Sequence, residues 1–193
     1  MSRQRLFLIA AALVVWVGSL AVAEETAKTG AARPAFECRF AESPPTMDGV
    51  GDDAAWKSAQ VIDGFGLPWL KEQARPSKTA TKAKLLWDRD ALYFFAELED
   101  HDLFADITEH DGMTWFNDVF ELFFKPERDK PGYYEFQVNA AGTTMDMFLP
   151  QRGIKDFEKT VRDGEFRFEA RVKTSGTLNQ RTDRDTGDRK SVV

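Results

Sequence analysis

Apolar residues along this chain mostly alternate with polar ones, and the first stretch breaks that rule. Leu6 to Leu20 is an almost unbroken apolar run behind Arg3 and Arg5, and Ala21-Val22-Ala23 sets small residues before Glu24-Glu25. A basic start, a short apolar centre and a small-residue end predict an export leader over 1–23, cleaved after Ala23. The run is shorter than the ~20 residues that a membrane span usually needs, so an uncleaved anchor is the lesser alternative. The cleavage point carries no Cys, which argues against a lipoprotein anchor. Residues 24–35 are small, polar and unpatterned, a flexible linker, and one domain of ordinary size follows over 36–193.

Within that domain the period is two. Ala35 to Phe40 predicts a first strand with Phe36, Cys38 and Phe40 inward. After Pro44-Pro45 and a turn-rich stretch, Asp52 or Asp53 can cap a short helical turn over Ala54–Lys57, with Trp56 as a core plug. Gln60 to Asp63 predicts a short strand, and Gly64 to Ser77 a loop broken by Gly and Pro. Trp69 on that loop is either a partner-facing stacking residue or a lid on the core. Lys82–Trp87 and Leu92–Glu99 form the clearest hairpin, loaded with Leu85, Trp87, Tyr93 and Phe95.

A long connection over 104–114 leads to Trp115 and the polar pair Asn117-Asp118, which stand before an apolar strand over Val119–Phe124, then to a charged loop and to Tyr133–Asn139. There Tyr134, Phe136 and Val138 share one face, and Tyr133, Glu135, Gln137 and Asn139 the other. Thr144–Leu149 and Glu165–Val172 read as further strands, and Thr174–Val193 as polar turns without a strand pattern. Short, hairpin-linked strands with almost no helix predict an all-β fold, an antiparallel β-sandwich.

Charge and chemistry narrow this further. The formal charge of -6 becomes -8 once Arg3 and Arg5 leave with the leader, which argues against nucleic acid and anionic lipid as partners. Cys38 is the sole cysteine, so it can form no internal disulfide and is expected to pack as a small buried hydrophobe. Two histidines, His101 and His110, lack metal-ligand spacing to a Cys or to each other, which argues against zinc. Asp88, Asp90, Glu97, Glu99, Asp100 and Asp102 cluster at the ends of the hairpin's second strand. Oxygen donors of this kind suit Ca2+, but no EF-hand spacing is present, and solvated acidic turns are the competing explanation. Trp115 next to Asn117, Asp118 and Glu121 could stack on a sugar ring and hydrogen-bond its hydroxyls. On residue types alone the simpler reading, a core aromatic and an outward carboxylate, is ahead.

A family resemblance weighs on that choice. Thr46-Met47-Asp48-Gly49, Ala55-Trp56, Ala83-Lys84-Leu85-Leu86-Trp87-Asp88, Leu92-Tyr93 and Glu99-Asp100 stand in order along the chain. Trp115 to Phe123 and Tyr133 to Asn139 follow them, and together these segments resemble a family 9 carbohydrate-binding module. The resemblance implies a sandwich, DOMON-like in its relations, that binds poly- or oligosaccharide without hydrolysing it and carries structural Ca2+. It places Trp115 where one of two sugar-clamping tryptophans stands and Glu121 where a sugar-binding glutamate stands. Gln137 takes a position where the sugar-binding members carry arginine, and Asn117 or Asn139 could add hydroxyl contacts. The second clamping tryptophan belongs to a late segment that this chain lacks, which leaves Trp69 as a candidate second wall. Asp88, Asp100 and Asp118 are the candidate Ca2+ ligands. The ending resembles a fold whose last strands are missing.

Three functions therefore compete. A secreted or periplasmic sugar-binding module leads. A haem-binding electron-transfer domain is second, with Met113, Met145, Met147, His101 and His110 as ligand types. A glycoside hydrolase using paired carboxylates is third. An interaction domain without sugar affinity is the default against which all three are weighed.

Overall fold

The computed structural model describes residues 34–154, 160, 166–180 and, for the backbone, 188–192. The expected leader and nearly all of the linker lie outside the described residues. Phe36–Val193 forms one compact unit.

Among the described residues eight strands follow in chain order: β1 Arg39–Phe40, β2 Thr81–Trp87, β3 Leu92–Asp100, β4 Val119–Phe124, β5 Tyr133–Asn139, β6 Thr144–Leu149, β7 Val172–Ser175 and β8 Asp188–Val192. They make a five-stranded sheet, β1-β2-β3-β8-β7, and a three-stranded sheet, β4-β5-β6. Every pairing is antiparallel except β1 on β2, which is parallel. The two sheets meet through Ala83, Ala96 and Leu98 on one side and Phe120 and Val138 on the other, joined by Ala170. The fold is thus the expected all-β sandwich.

The β2–β3 hairpin packs apolar side chains on both of its faces. Phe94, Ala96 and Leu98 turn toward the other sheet, while Leu86, Tyr93 and Phe95 sit beneath the turn Ala54–Lys57. Trp56 on that turn is 1% exposed, with its ring 5.7 Å from Phe95, and is the core plug that the sequence predicts. Gly51 holds φ +70 against the Phe95 ring, where any side chain would collide.

Several boundaries differ from expectation, each for a physical reason. The first strand shrinks to Arg39–Phe40, and Phe36, Cys38 and Phe40 are exposed rather than inward. An edge strand has one neighbour, and Phe40 packs edge-on against Trp87 at 5.2 Å instead of entering the core. Gln60–Asp63 contributes only an isolated bridge, Ile62 to Ala83. The alternation at Phe166 and Phe168 reports burial correctly, since Phe166 stacks edge-on with Tyr134 and Phe136 and Phe168 with Phe136. That segment nevertheless lies outside any strand, and strand pairing begins only at Val172. Thr174–Val193 is not strandless: β8 pairs with both β3 and β7. Asp188-Arg189-Lys190-Ser191 has no apolar alternation to announce it, because its place is set by backbone bonds to two neighbours.

Candidate functional site

The site grows from the outward face of the three-stranded sheet. Registry places Glu121 opposite Gln137 and Phe123 opposite Glu135, then Gln137 opposite Met145 and Glu135 opposite Met147. This is the polar face of β5, yet it is not wet. Glu135, Gln137, Asn139, Met145 and Met147 are all buried, and only Glu121 and Phe123 at the β4 side are exposed.

The cover comes from the connection that precedes β4. Trp115 stands just before the strand, as the apolar run Val119–Phe124 predicts. Thr114–Phe116 forms a 3-10 turn closed by Asn117 N–H donating to Thr114 O at 2.9 Å, and β4 starts at Val119. Thr114 is fully buried and its hydroxyl donates to Gln137 Oε1 at 2.6 Å. Gln137 Nε2 in turn donates to Glu135 Oε1 at 2.5 Å. This chain of buried side chains fixes the turn over the sheet and leaves the Trp115 indole 36% exposed, tilted on Phe116 at 5.8 Å.

Asn139 and Asn117 act one layer deeper. Asn139 Nδ2 donates to Ile107 O and Asn117 Oδ1, and its Oδ1 accepts from Ala141 N and Thr143 N. Asn117 Oδ1 also accepts from Ile107 N, and its Nδ2 donates to Asp106. Both amides therefore hold the 104–118 connection in place. Asn139 is fully buried, so it has no surface with which to reach a ligand.

The carboxylates on this face are held above their usual range. Although Glu121 reaches solvent, the neighbours packed around its carboxyl partly desolvate it and raise it, and the nearby Glu135 carboxylate raises it further. Burial also raises Glu135, with the Gln137 hydrogen bond partly opposing.

Trp115, Glu121 and Gln137 are thus brought together, Gln137 beneath the surface rather than on it. Trp69 is not part of this group. It is 70% exposed on the 3-10 turn Pro68–Gln73, and its loop is anchored to β2 through Ile62 and Ala83, on the five-stranded sheet. Phe123, which the sequence reading passed over, is exposed on the Glu121 face with its ring 6.0 Å from Tyr133. An outward Phe two residues beyond Glu121 was visible from the period of the strand alone.

The three aspartates expected to share a cation do not meet. Asp88 precedes β3 and Asp100 ends it, which separates them by roughly 25 Å at the usual rise per residue. Asp88 caps its turn by accepting from Asp90 N, Ala91 N and the Tyr93 hydroxyl. The Asp90 N–H, chiefly, and the Tyr93 hydroxyl hold its carboxyl below the usual range, and burial with Asp88 pushes Tyr93 up to about 12. Asp100 accepts from His101 N, and Asp118 from Phe104 N at 2.6 Å. Each carboxylate serves as a turn or loop fastener. Among the described residues the group with metal-binding geometry is a different one, His110, Asp111 and Asp146, whose ligand atoms lie within 4.8 Å of one another. Of the haem ligand types, Met145 and Met147 are buried under the sheet face, with Met147 Sδ accepting the Thr160 hydroxyl.

Comparison with known proteins fits this architecture. One solved structure similar to the chain is a candidate carbohydrate-binding protein from Bacteroides uniformis. It is 15% identical with a TM-score of 0.55, over 80% of this chain and 68% of that one. A family 9 carbohydrate-binding module from Caldicellulosiruptor kristjanssonii, solved with glucose and with cellotriose, is 20% identical. Its TM-scores are 0.45 and 0.46, over 80% of this chain and 65% of that one. The chain thus spans about two thirds of the length of these structures. No curated protein matches it. Residues 47–186, well over half of the chain, match the carbohydrate family 9 binding domain-like family. The chain belongs to that family.

Proposed function

We propose that this chain is a non-catalytic carbohydrate-binding module that stacks a sugar ring on Trp115 beside Glu121. The observation that carries the reading is the fixed, partly exposed indole. Its turn is bolted to the sheet through Thr114, Gln137 and Glu135, so the aromatic face is presented without needing to be ordered on binding. A flat aromatic offers the apolar C–H face of a pyranose dispersion and desolvation energy, and preorganisation limits the entropy lost. Glu121 supplies the charged hydroxyl acceptor at the same rim. Gln137 and Asn139 serve this reading as positioning residues, and Asn117 belongs with them. Phe123, further along the same strand face, offers a second apolar surface to a longer saccharide. The export leader read at 1–23 places the module in the periplasm or outside the cell.

Calorimetric titration of the folded chain with a panel of mono- and oligosaccharides tests this. We expect binding that Trp115→Ala weakens at least about tenfold, a loss of the size one aromatic contact supplies, with the far-UV spectrum unchanged. A folded wild type that binds nothing across the panel rejects the reading, as does a Trp115→Ala variant that binds as well as wild type.

A further inference from the structure

Away from Trp115 and Glu121, His110, Asp111 and Asp146 converge from two parts of the chain. His110 and Asp111 lie on the connection that precedes β4, and Asp146 lies in β6. Three features of the group favour a metal ion over a casual meeting of charges.

The first is the orientation of the imidazole. His110 Nδ1 lies 3.0 Å from the backbone carbonyl of Thr144 and 3.1 Å from its hydroxyl. A carbonyl only accepts, so Nδ1 carries a hydrogen, and Nε2 is the nitrogen left to face Asp111, with a lone pair to offer a metal when the ring is neutral. A backbone carbonyl on the far nitrogen is the usual way that a metal-ligating histidine is fixed in tautomer and direction. The second is spacing. Nε2 stands 3.5 Å from Asp111 Oδ2. With Nε2 unprotonated, its lone pair and the carboxylate oxygen repel at that distance, and a cation between them removes the repulsion. Two ligands on one tetrahedral zinc, each ~2.0–2.2 Å from the metal, are themselves about 3.3–3.6 Å apart.

The third is charge. Asp146 is 2% exposed and its backbone N–H donates to Asp111 Oδ1 at 3.3 Å, so two carboxylates are held side by side at the edge of the core. A dication with two carboxylates and a neutral imidazole sums to zero, which suits a buried position. The His110 side chain is 46% exposed, which leaves a path for the ion and room for water as a further ligand.

We propose that His110 Nε2, Asp111 and Asp146 bind a first-row transition dication of the zinc class, closed by water. One imidazole with two carboxylates fits this class better than Ca2+, which takes six to eight oxygens and no imidazole. The ion would clamp the connection to β6 only a few residues before the Thr114–Phe116 turn. The site is independent of whether a sugar binds, and its test uses none.

A tag-free chain carrying Cys38→Ser, which removes the exposed thiol as a rival ligand, is stripped with chelator and titrated with Zn2+ and Co2+. We expect one equivalent to bind, with Co2+ giving visible absorption of low-coordinate N/O type that Zn2+ abolishes. At Zn2+ about a hundredfold above its dissociation constant the melting midpoint rises by about 5 °C or more. His110→Gln, changing a half-exposed side chain, should melt like the metal-free parent and lose the response, and Asp111→Asn should weaken it. The proposal is overturned if Zn2+ leaves the midpoint unmoved, if His110→Gln keeps the full shift, or if Ca2+ stabilises more than Zn2+. An imidazolium ion pair in place of a metal would also overturn it, and would show as stability gained below pH 6 with no chelator effect.

Discussion

The two sheets use alternation in opposite ways. In the β2–β3 hairpin one face is apolar and covered by the other sheet. The opposite face is apolar and covered by the Trp56 turn over Leu86, Tyr93 and Phe95, while Lys82, Glu97 and Glu99 beyond it are exposed. In the three-stranded sheet one face is apolar, and the other is polar yet just as buried over Glu135, Gln137 and Asn139. A period of two tells which residues share a face but not which face meets water. Where polar side chains are buried they must be paired, and the pairing is what builds the site. The hairpin stores stability, and the polar face trades some of it for a fixed Trp115.

That contrast can be broken experimentally, beginning with its strongest side. Trp56→Ala should destabilise by about 3–5 kcal/mol, as loss of a buried aromatic does, and chemical denaturation would measure it. Trp56→Phe should be much milder, since the Trp56 indole N–H is buried with no hydrogen-bond partner among the described residues. Thr114→Val comes next. It keeps the shape but leaves Gln137 Oε1 without its donor, for about 1–3 kcal/mol, and sugar affinity should fall with stability.

Trp115→Ala should separate the two properties. Stability changes by about 1 kcal/mol or less, within the range of surface substitutions, while affinity falls as proposed above. A stability loss as large as that of Trp56→Ala would erase the distinction between the two tryptophans.

The smallest effect is also the most diagnostic. Glu135 has its folded pKa raised, so the folded state holds its proton more tightly than the unfolded chain. Its contribution is therefore greatest below the unfolded value and declines as pH rises through the folded one. Glu135→Gln should raise the melting midpoint by about 1–3 °C at pH 7 and leave it unchanged near pH 3–4. The glutamine can still accept from Gln137. A midpoint that drops at both pH values would show that the carboxylate is needed as such.

Much of this was legible along the chain. The alternation in Tyr133–Asn139 sorted the two faces of β5 correctly, and Thr144–Leu149 was bounded as found. Trp56 followed from a short turn beside an aromatic hairpin, although the Asp53 carboxylate makes no cap bond there and accepts from Thr46 N and Oγ1 instead. What stayed hidden depends on partners distant in sequence. The Thr114 turn just before β4 is fixed by Gln137, 23 positions on, which no local pattern announces. Acidic clustering suggested Asp88 and Asp100 as partners, but a nine-residue strand keeps them apart. His110 had no ligand at familiar spacing because Asp146 reaches it only through the fold.

The placement of β8 has a consequence for the order of assembly. β4, β5 and β6 join through successive hairpins whose contacts are local, and such contacts form quickly. β3, by contrast, pairs along Ala96–Asp100 with residues 188–192, with the whole three-stranded sheet intervening in the chain. Closing so long a loop is slow, and until it closes β3 presents an open edge. The sheet that carries Trp115 should therefore reach its native pairing first, with its opposite layer completed last.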